Sequence, residues 1–312
     1  MPVTILSSLP QPEAWLGEWI QLPTDTDVHP IEATANGAFH WVPLESVGLS
    51  SRMSAISSWL GAARPEVVVV DVSVEIAALV RLHGIRVVTF AQPGDRTDEA
   101  HTLGYRLASA IIAPWPSDLR PSAVLAPLES EFQHVGAISR IQVEAAVSTD
   151  VVRRPNRIAV MNGSGGRGIS ALDMVVEEAQ AAMPDAEWVR LDGEPVNTVE
   201  HNLREASVVF AHCGQNALAE IAACRTPAIL VAEDRPHNEQ HSMAASLRVS
   251  ELPVIVLTPG DGVDRRAAIA TAQLLDGEGW AQFVDGDAAR RTATVITNVA
   301  GASHLPSHRR AV

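Results

Sequence analysis

The stretch Val208-Val-Phe-Ala-His-Cys-Gly-Gln-Asn-Ala-Leu-Ala-Glu-Ile-Ala-Ala223 decides the fold of this chain. Its apolar start predicts a buried strand that ends at Phe210, followed by a turn around Gly214 and a helix from about Gln215. A helix that begins directly after a strand brings unpaired backbone N–H groups and the positive end of its dipole to one point. Gly214 lets the backbone approach a ligand closely, so the stretch predicts an anion site that fits a diphosphate.

Short apolar strands alternate with amphipathic helices on both sides of this stretch. Strands are predicted at Val67–Val70, Arg86–Phe90, Ala110–Ala113, Arg157–Met161, Glu187–Leu191, Ala228–Val231 and Val254–Leu257, and a last strand with a turn is predicted at Val135–Arg140. This alternation implies parallel sheets with right-handed crossovers, and 312 residues are enough for two domains. We therefore expect an α/β protein with two Rossmann-like parallel-sheet domains facing across a cleft, where ligands bind beyond the carboxyl ends of the strands.

A polar segment without periodicity, which includes Pro155, separates the two predicted domains. The expected parts are an N-terminal domain, a linker, a C-terminal domain, and a C-terminal helix with tail, at residues 1–140, 141–156, 157–285 and 286–312. The start of the first domain is unusual, because no amphipathic helix fits between the strand-like stretches Val3–Leu6 and Glu18–Leu22. Either this domain is atypical or an N-terminal strand-loop-helix unit is missing.

The composition excludes several classes of function. The formal net charge of -14 argues against nucleic-acid binding. All 23 basic residues are Arg, which excludes a P-loop lysine, a Schiff-base lysine and a lysine general base. Cys213 and Cys224 lack zinc spacing and favour a reducing, cytoplasmic setting. Neither a signal peptide nor a transmembrane segment is predicted, and peripheral contact with the inner face of a membrane stays open.

Two further polar segments follow predicted strands of the C-terminal domain. In Glu233–His241 the amide and carboxylate groups suit the hydroxyls of a sugar, and the alternative is a solvated loop with Asp234 or Asn238 as a helix cap. Met161–Gly168 is a glycine-rich turn that can cradle an anion. It also matches G-x-G-x-x-G, with Asp192 at the end of the next strand, which is the pattern of a dinucleotide site.

Together these motifs resemble the C-terminal domain of glycosyltransferase family 28, whose members have the GT-B fold. The likeness covers roughly residues 155–285. It lies in the segments His212-Cys-Gly214, Glu220, Thr226-Pro227, His237-Asn-Glu-Gln240 and Gly163-Ser-Gly-Gly166. The N-terminal half resembles the acceptor domain of the family more loosely, through Pro65–Asp71 and Gly84–Val88.

The resemblance implies an inverting hexosyltransferase that moves a hexose or N-acetylhexosamine from a nucleoside-diphosphate sugar, with UDP as the family's nucleotide. The acceptor would be a small molecule or a lipid-linked one, and neither a metal nor another cofactor is expected. The implied donor-binding residues are the glycine-rich loop, the turn and first helix residues, the helix carboxylate and the polar loop, at Gly163, Ser164, Gly165, Gly166, His212, Cys213, Gly214, Gln215, Asn216, Glu220, Asn238, Glu239 and Gln240.

Inverting transfer needs a base for the acceptor hydroxyl, and Asp71 after the Val67–Val70 strand is the candidate. Its alternative role is a cap for the next helix. His101 and His212 are weaker candidates for the base, and Arg96 is a candidate phosphate contact. Three other functions stay open: a dinucleotide-dependent oxidoreductase, a sugar-nucleotide epimerase on the same architecture, and a non-catalytic nucleotide-sugar-binding protein.

Overall fold

The computed structural model describes residues 2–124, 126–143, 153–162 and 170–302. The strands are β1 (Thr4–Ser7), β2 (Glu18–Gln21), β3 (Val67–Val70), β4 (Arg86–Phe90), β5 (Gly94–Asp95), β6 (Ala110–Ala113), β7 (Ser122–Ala123), β8 (Phe132–His134), β9 (Arg154–Met161), β10 (Glu187–Arg190), β11 (Ala206–His212), β12 (Ala228–Val231) and β13 (Val254–Leu257). The α-helices are α1 (Val47–Ala63), α2 (Val74–Leu82), α3 (Glu99–Leu107), α4 (Ala126–Glu129), α5 (Ala171–Ala182), α6 (Val196–Glu205), α7 (Gln215–Ala223), α8 (Glu239–Arg248), α9 (Arg265–Gln273) and α10 (Ala288–Gly301). Short 3-10 helices cover Pro236–Asn238 and Gly277–Gln282.

Two parallel sheets, one in each half of the chain, form the framework. The N-terminal sheet has the order β3-β4-β6-β8 and the C-terminal sheet the order β10-β9-β11-β12-β13. The order reverses direction between β9 and β11, which is the topological switch point where such sheets bind ligands. The expected α/β architecture with two Rossmann-like parallel sheets is thereby confirmed, while the exact domain boundaries stay a prediction.

Of the strand and turn predicted at Val135–Arg140, the strand is wrong. β8 ends before it, and although the N–H of Val135 still donates to the carbonyl of Ala113 at 3.0 Å, Gly136 has a left-handed φ of +76°. The N–H of Ala137 then donates to the carbonyl of Phe283 at 2.9 Å. A positive φ at a glycine turns the chain out of the sheet at low cost, so this segment leads across to the C-terminal half.

β3 is less buried than its four consecutive valines suggest. A run of β-branched residues without polar alternation predicts burial on both faces, and this prediction is wrong at Val69, which is 39% exposed. The sheet order explains this, because β3 lies at the edge of its sheet, where one side has no neighbouring strand.

The C-terminal helix α10 returns to the N-terminal sheet. Its apolar residues Val295, Ile296 and Val299 pack against a cluster formed by Val88, Ile112 and Val135. The guanidinium of Arg291 also donates to the carbonyl of Val135, through Nε at 2.8 Å. The chain therefore crosses between its halves twice, and both crossings meet at the end of β8. Among the described residues, no helix combines the length and the apolar character needed to cross a bilayer.

The start of the C-terminal half is anchored by one buried guanidinium. Arg153 donates to backbone carbonyls at the ends of α6 and α7, at 2.8 Å for Ala206, 3.0 Å for Cys224 and 2.7 Å for Arg225. These carbonyls lie where helices end and lack intrahelical partners, so a single planar cation satisfies several of them at once. Burial lowers the pKa of Arg153 from its ordinary value, but a guanidinium stays charged.

We expect Arg153→Gln to lower the free energy of unfolding by about 3 kcal/mol, because it leaves several buried carbonyls without a charged donor. Urea unfolding followed by circular dichroism measures this. Arg290→Gln on α10 is the control, since that guanidinium is 70% exposed and its ion-pair partner among the described residues is Asp287 at the surface. The control should leave the free energy of unfolding close to that of the wild type. Equal effects of the two substitutions would show that Arg153 anchors nothing.

Candidate functional site

A cavity of about 1020 Å³ lies at the carboxyl end of the C-terminal sheet. Its size is at the upper end of the range for small-molecule sites. Eight of the residues predicted to bind the donor line it: His212, Cys213, Gly214, Gln215, Asn216, Glu220, Glu239 and Gln240. The N-terminal half contributes Pro93, Ile138, Ser139 and Arg140. Both halves therefore build one cavity.

The helix α7 begins at this cavity with its first amide groups open. Gly214 is the N-cap, and it offers no side chain to the N–H groups of the first turn. The first turn also contains no acidic residue. An α-helix leaves its first N–H groups without intrahelical partners and carries a partial positive charge there. The start of α7 is therefore suited to an anionic ligand.

The side chain of Gln215, in the same turn, adds a further donor. It lines the cavity, and its Nε2 atom is buried without a hydrogen-bond partner among the described residues. A buried amide group without a partner carries a free-energy cost that a ligand removes when it accepts the hydrogen bond.

The neighbouring helix α5 is capped, in contrast to α7. Ser170 and Asp173 form a capping box, and the carboxylate of Glu233 accepts from the N–H groups of Ala171 at 3.2 Å and Leu172 at 2.8 Å. Glu233 follows β12 and reaches α5 because these elements end at the same edge of the sheet. A carboxylate of the protein thus occupies the place where a dinucleotide pyrophosphate would bind.

Asp192, the acidic residue of the dinucleotide pattern, also has internal partners. Its Oδ1 accepts from the N–H of Asn162 at 2.8 Å, and its Oδ2 lies 3.7 Å from a guanidinium nitrogen of Arg190. The predicted Gly163, Ser164, Gly165 and Gly166 lie outside the described residues, so the loop that precedes α5 stays a prediction.

The ring of His212 explains why position 214 is a glycine. A Cβ at Gly214 would lie 2.5 Å from Cε1 of His212, which is closer than two carbon atoms can approach. The N–H of Gly214 donates to Nδ1 of His212 at 3.0 Å, so the neutral ring carries its proton on Nε2. Burial lowers the pKa of His212, which keeps the ring neutral near pH 7. His212 is thus a hydrogen-bonding residue of the cavity.

Cys213 is buried, and burial raises the pKa of its thiol to about 12. It therefore contributes packing and not a thiolate.

Glu220 lies on α7 inside the cavity and is 6% exposed. Its Oε1 accepts from Nε of Arg140 at 2.5 Å, and Arg140 belongs to the segment that links the two halves. Glu220 is not a solvated helix residue, because its carboxylate is buried and a buried carboxylate needs a partner. The sequence did not indicate Arg140, which is separated from Glu220 by 80 residues.

The three predicted donor residues at the polar loop before α8 lie in different surroundings. Gln240 is 3% exposed, and its Oε1 accepts from the N–H of Glu233 at 3.0 Å, which places its amide group against the cavity. Glu239 faces Arg96 of the N-terminal half, at 3.4 Å. Asn238 is the N-cap of α8 in a left-handed conformation, but its side chain makes no capping hydrogen bond and does not line the cavity.

Arg96 itself is buried, with partners inside the protein. Its Nε donates to the carbonyl of Pro93 at 2.8 Å and its NH1 lies 3.2 Å from Nε2 of His101. Arg96 thus pairs with other groups of the protein where the two halves are in contact. It is therefore poorly placed for the phosphate contact that the sequence suggested.

Asp71 lies apart from the cavity at the start of α7. It is exposed after β3 and lines a second cavity of about 480 Å³ in the N-terminal half, together with His40, Trp41 and Glu75. The alternative role of Asp71 as a helix cap is wrong, because the hydroxyl of Ser73 accepts the N–H of Ile76 and caps α2. The structure thus brings most predicted donor residues together and leaves the predicted base at a separate cavity.

The comparisons with known proteins bear on the fold. No protein-family model and no curated protein matches the sequence. The solved structures give clear matches. MurG of Acinetobacter baumannii is 13% identical, with 91% of this chain and 86% of that chain covered and a TM-score of 0.59. Phytolacca americana UGT2, solved with UDP-2fluoro-glucose and pterostilbene, is 15% identical, with 96% and 92% covered and a TM-score of 0.58.

A Listeria monocytogenes protein assigned as a UDP-N-acetylglucosamine 2-epimerase is also similar. It is 14% identical, with 82% of this chain and 79% of that chain covered and a TM-score of 0.56. At these identities the likeness concerns the fold. The chain therefore has the GT-B fold that the sequence predicted, which glycosyltransferases share with an epimerase.

A histidine next to the cavity gives a pH dependence. His101 is 5% exposed, and its Nδ1 lies 2.5 Å from Oδ2 of Asp98. Burial lowers the pKa of His101 from 6.5 to about 4, although the carboxylate of Asp98 opposes this shift. The pKa of Asp98 is lowered from 3.8 to about 2 by the hydrogen bonds that it accepts from His101, against burial, which raises it.

We expect the free energy of unfolding to fall as the pH is lowered from 6.5 towards 4, because in that window the unfolded chain takes up a proton that folded His101 does not. The contribution of His101 is on the order of 3 kcal/mol. Asp98 loses its contribution only below pH 3.8 and so does not mask the effect. Urea unfolding of the wild type and His101→Gln in EDTA measures the difference, with the exposed His201→Gln as control. Parallel pH curves for the wild type and His101→Gln would contradict this assignment.

Proposed function

We propose that this chain is an inverting glycosyltransferase that moves a hexose or N-acetylhexosamine from a nucleoside-diphosphate sugar, with UDP as the expected nucleotide. The observation that carries the proposal is the uncapped start of α7 at the large cavity, while the start of α5 is filled by Glu233. The site prefers an anion at α7, which is where the family resemblance puts the donor diphosphate.

The diphosphate would be held without a metal ion. The first N–H groups of α7 and the amide of Gln215 supply hydrogen-bond donors, and Nε2 of neutral His212 is a further one. Arg235 also lines the cavity and adds a positive charge. In a cavity that excludes most water, such fixed donors also stabilise the charge that builds up on the leaving diphosphate.

The carboxylate of Glu220 is the proposed partner of the ribose. It lies on the same helix as the diphosphate site, one and a half turns further along, and its two oxygens can accept hydrogen bonds from two hydroxyl groups. Asn238, Glu239 and Gln240 remain the proposed contacts of the donor sugar, of which Glu239 and Gln240 line the cavity.

Asp71 is the proposed base, and its backbone supports a functional role. The N–H of Ser73 donates to the carbonyl of Asp71 at 3.0 Å across Val72, which has a φ of +77°. This is a strained γ-turn, and a positive φ at a β-branched residue is a true outlier. Strain of this kind is found preferentially at functional sites. The cavity beside Asp71, with the face of Trp41, is the proposed acceptor side.

In the proposed reaction the base takes the proton of an acceptor hydroxyl, and the hydroxyl oxygen then attacks the anomeric carbon of the donor sugar. The bond from that carbon to the diphosphate oxygen breaks, the configuration inverts, and the nucleoside diphosphate leaves with the electron pair. The two halves must bring the acceptor cavity and the donor cavity together for this step, because Asp71 does not line the donor cavity in this structure.

The other functions have less support. A dinucleotide-dependent oxidoreductase would need the start of α5 and Asp192, and both have partners inside the protein. An epimerase shares the donor site that we propose, and the Listeria monocytogenes protein shows that the fold is compatible with it. Release of free nucleoside diphosphate in the presence of an acceptor distinguishes transfer from epimerisation.

We expect UDP or UDP-N-acetylglucosamine to raise the melting temperature of the chain in EDTA, because helix amides and not a metal ion hold the diphosphate. Thermal shift and isothermal titration calorimetry measure this, with NADH as the competing ligand. Stabilisation by NADH with no response to any nucleoside diphosphate would contradict the glycosyltransferase proposal.

If donor binding is found, Asp71→Asn should keep the affinity for UDP and lower the rate of sugar transfer by at least a factor of about 100.

We expect Glu220→Gln to weaken UDP binding by about 1–3 kcal/mol, because the ribose hydroxyls lose hydrogen bonds to a charged group. Calorimetric titration of wild type and variant with UDP measures the change. The exposed Glu177→Gln on α5 is the matched control, and it should bind UDP like the wild type. Equal affinities for the wild type and Glu220→Gln would show that the buried pair with Arg140 is the whole role of Glu220.

A further inference from the structure

Three imidazole rings from distant parts of the chain meet at the donor loop, residues 233–238 before α8. His40 precedes α1, His101 lies on α3, and His237 lies in the 3-10 turn before α8. The ring centroid of His101 lies 4.3 Å from that of His40 and 4.7 Å from that of His237. One ring nitrogen of each residue lies within 4.8 Å of the corresponding nitrogens of the other two. The three donor atoms can therefore converge on one ion after small side-chain rotations.

Two of the rings are oriented as metal-binding histidines are. Nδ1 of His101 lies 2.5 Å from the carboxylate of Asp98, which leaves the lone pair on Nε2. The ring of His237 has a hydrogen bond with the backbone of Asp95. A histidine that binds a metal through one nitrogen usually donates the N–H of the other to a carboxylate or a backbone carbonyl.

The third ring has a nitrogen without a partner. Nε2 of His40 is buried, and no described residue forms a hydrogen bond with it, although Oδ1 of Asp98 lies 3.4 Å away. Buried polar atoms are nearly always paired, so an atom of this kind calls for a ligand. An imidazole nitrogen is a preferred ligand of zinc.

The backbone holds His237 in place at some cost. His237 has a φ of +58°, a left-handed conformation that is uncommon outside glycine, and Asn238 follows with +56°. The N-terminal half presses on this turn, since a Cβ at Gly94 would lie only 2.2 Å from the carbonyl oxygen of His237. Strain that is maintained by tight packing suggests that the direction of the His237 ring matters.

The charges around the rings favour a cation. Asp95, Asp98 and Glu239 carry negative charge, whereas Arg96 carries the opposing positive charge in direct contact with His101 and Glu239. NH1 of Arg96 lies 3.2 Å from Nε2 of His101 and thus places a cation at that lone pair. A metal ion bound there would displace NH1, while Nε of Arg96 keeps the carbonyl of Pro93.

We propose that His40, His101 and His237 bind one divalent transition-metal ion of the zinc type. The ion would tie the donor loop of the C-terminal half to two separate segments of the N-terminal half. Three neutral imidazoles with a carboxylate in the second layer are a ligand set typical of zinc, and a water molecule would take the fourth position. The ion's role is structural, and it takes no part in donor binding.

The test uses the full chain after removal of metals with EDTA and exchange into metal-free buffer, without nucleotide. Zinc titrated into it should bind with one equivalent per chain and raise the melting temperature, and Co²⁺ should give the visible absorption of a four-coordinate site. His40→Gln and His237→Gln should each weaken zinc binding by at least a factor of about 10, and Asp98→Asn by about 10 to 100. His237 is exposed on a loop, so its variant keeps the test valid even if His40→Gln folds poorly.

Two controls address the other histidines. His201→Gln on α6, whose side chain is 66% exposed, should bind zinc like the wild type, and so should a double variant His304→Gln and His308→Gln in the C-terminal tail. The proposal is overturned if no saturable binding occurs, if binding survives in both His40→Gln and His237→Gln, or if the tail variant removes it. Because nucleotide is absent, none of these outcomes bears on the donor site.

Discussion

The first amide groups of an α-helix need acceptors, and this constraint organises the C-terminal half. Two helices begin at the same edge of the sheet and solve it differently. At α5 the protein itself supplies the acceptors, with a capping box and the carboxylate of Glu233. At α7 the cap is a glycine, whose missing side chain is required by the ring of His212. The same glycine thus avoids a collision with the ring and leaves the start of α7 open for an anion. A side-chain cap at position 214 would fill the site and collide with the histidine.

The donor loop depends on the N-terminal half for its shape. Gly94 packs against the carbonyl of His237, Arg96 faces Glu239, and the N–H of Arg120 donates to the hydroxyl of Ser246 at 3.0 Å. The first two contacts fix the start of α8, which carries Gln240 towards the cavity, and the third holds its last turn. The same half also receives α10 at the end of β8. Consequently the donor side is not an independent unit, because part of its geometry is enforced across the interface between the halves.

The sequence was sufficient for elements whose signal is local. Val67–Val70, Arg86–Phe90, Ala228–Val231 and Val254–Leu257 are strands with the predicted bounds, because short apolar runs between turns carry that information themselves. The turn at Gly214 and the position of Glu220 on the helix after it were predictable for the same reason. The partners of the site residues were not predictable. Arg140, Glu233 and His40 act on residues that are distant in sequence, and only the packing of the two sheets brings them together. The burial of Val69 was overestimated because strand order cannot be derived from the run of valines.

The pair of Glu220 and Arg140 links the proposed nucleotide site to the crossing between the halves. The two members are unequal, since the side chain of Glu220 is 8% exposed and that of Arg140 is 56% exposed. Arg140 can return to water at little cost, whereas Glu220 cannot lose its partner without a replacement. On the proposed function, ribose hydroxyls are that replacement, and they release a guanidinium into the cavity that also holds the diphosphate. In a chain with a net charge of -14, this gives the anionic ligand a cation where it is needed. Because Arg140 follows β8 on the connection between the sheets, the exchange of partners at Glu220 would act directly on the segment that joins the two halves.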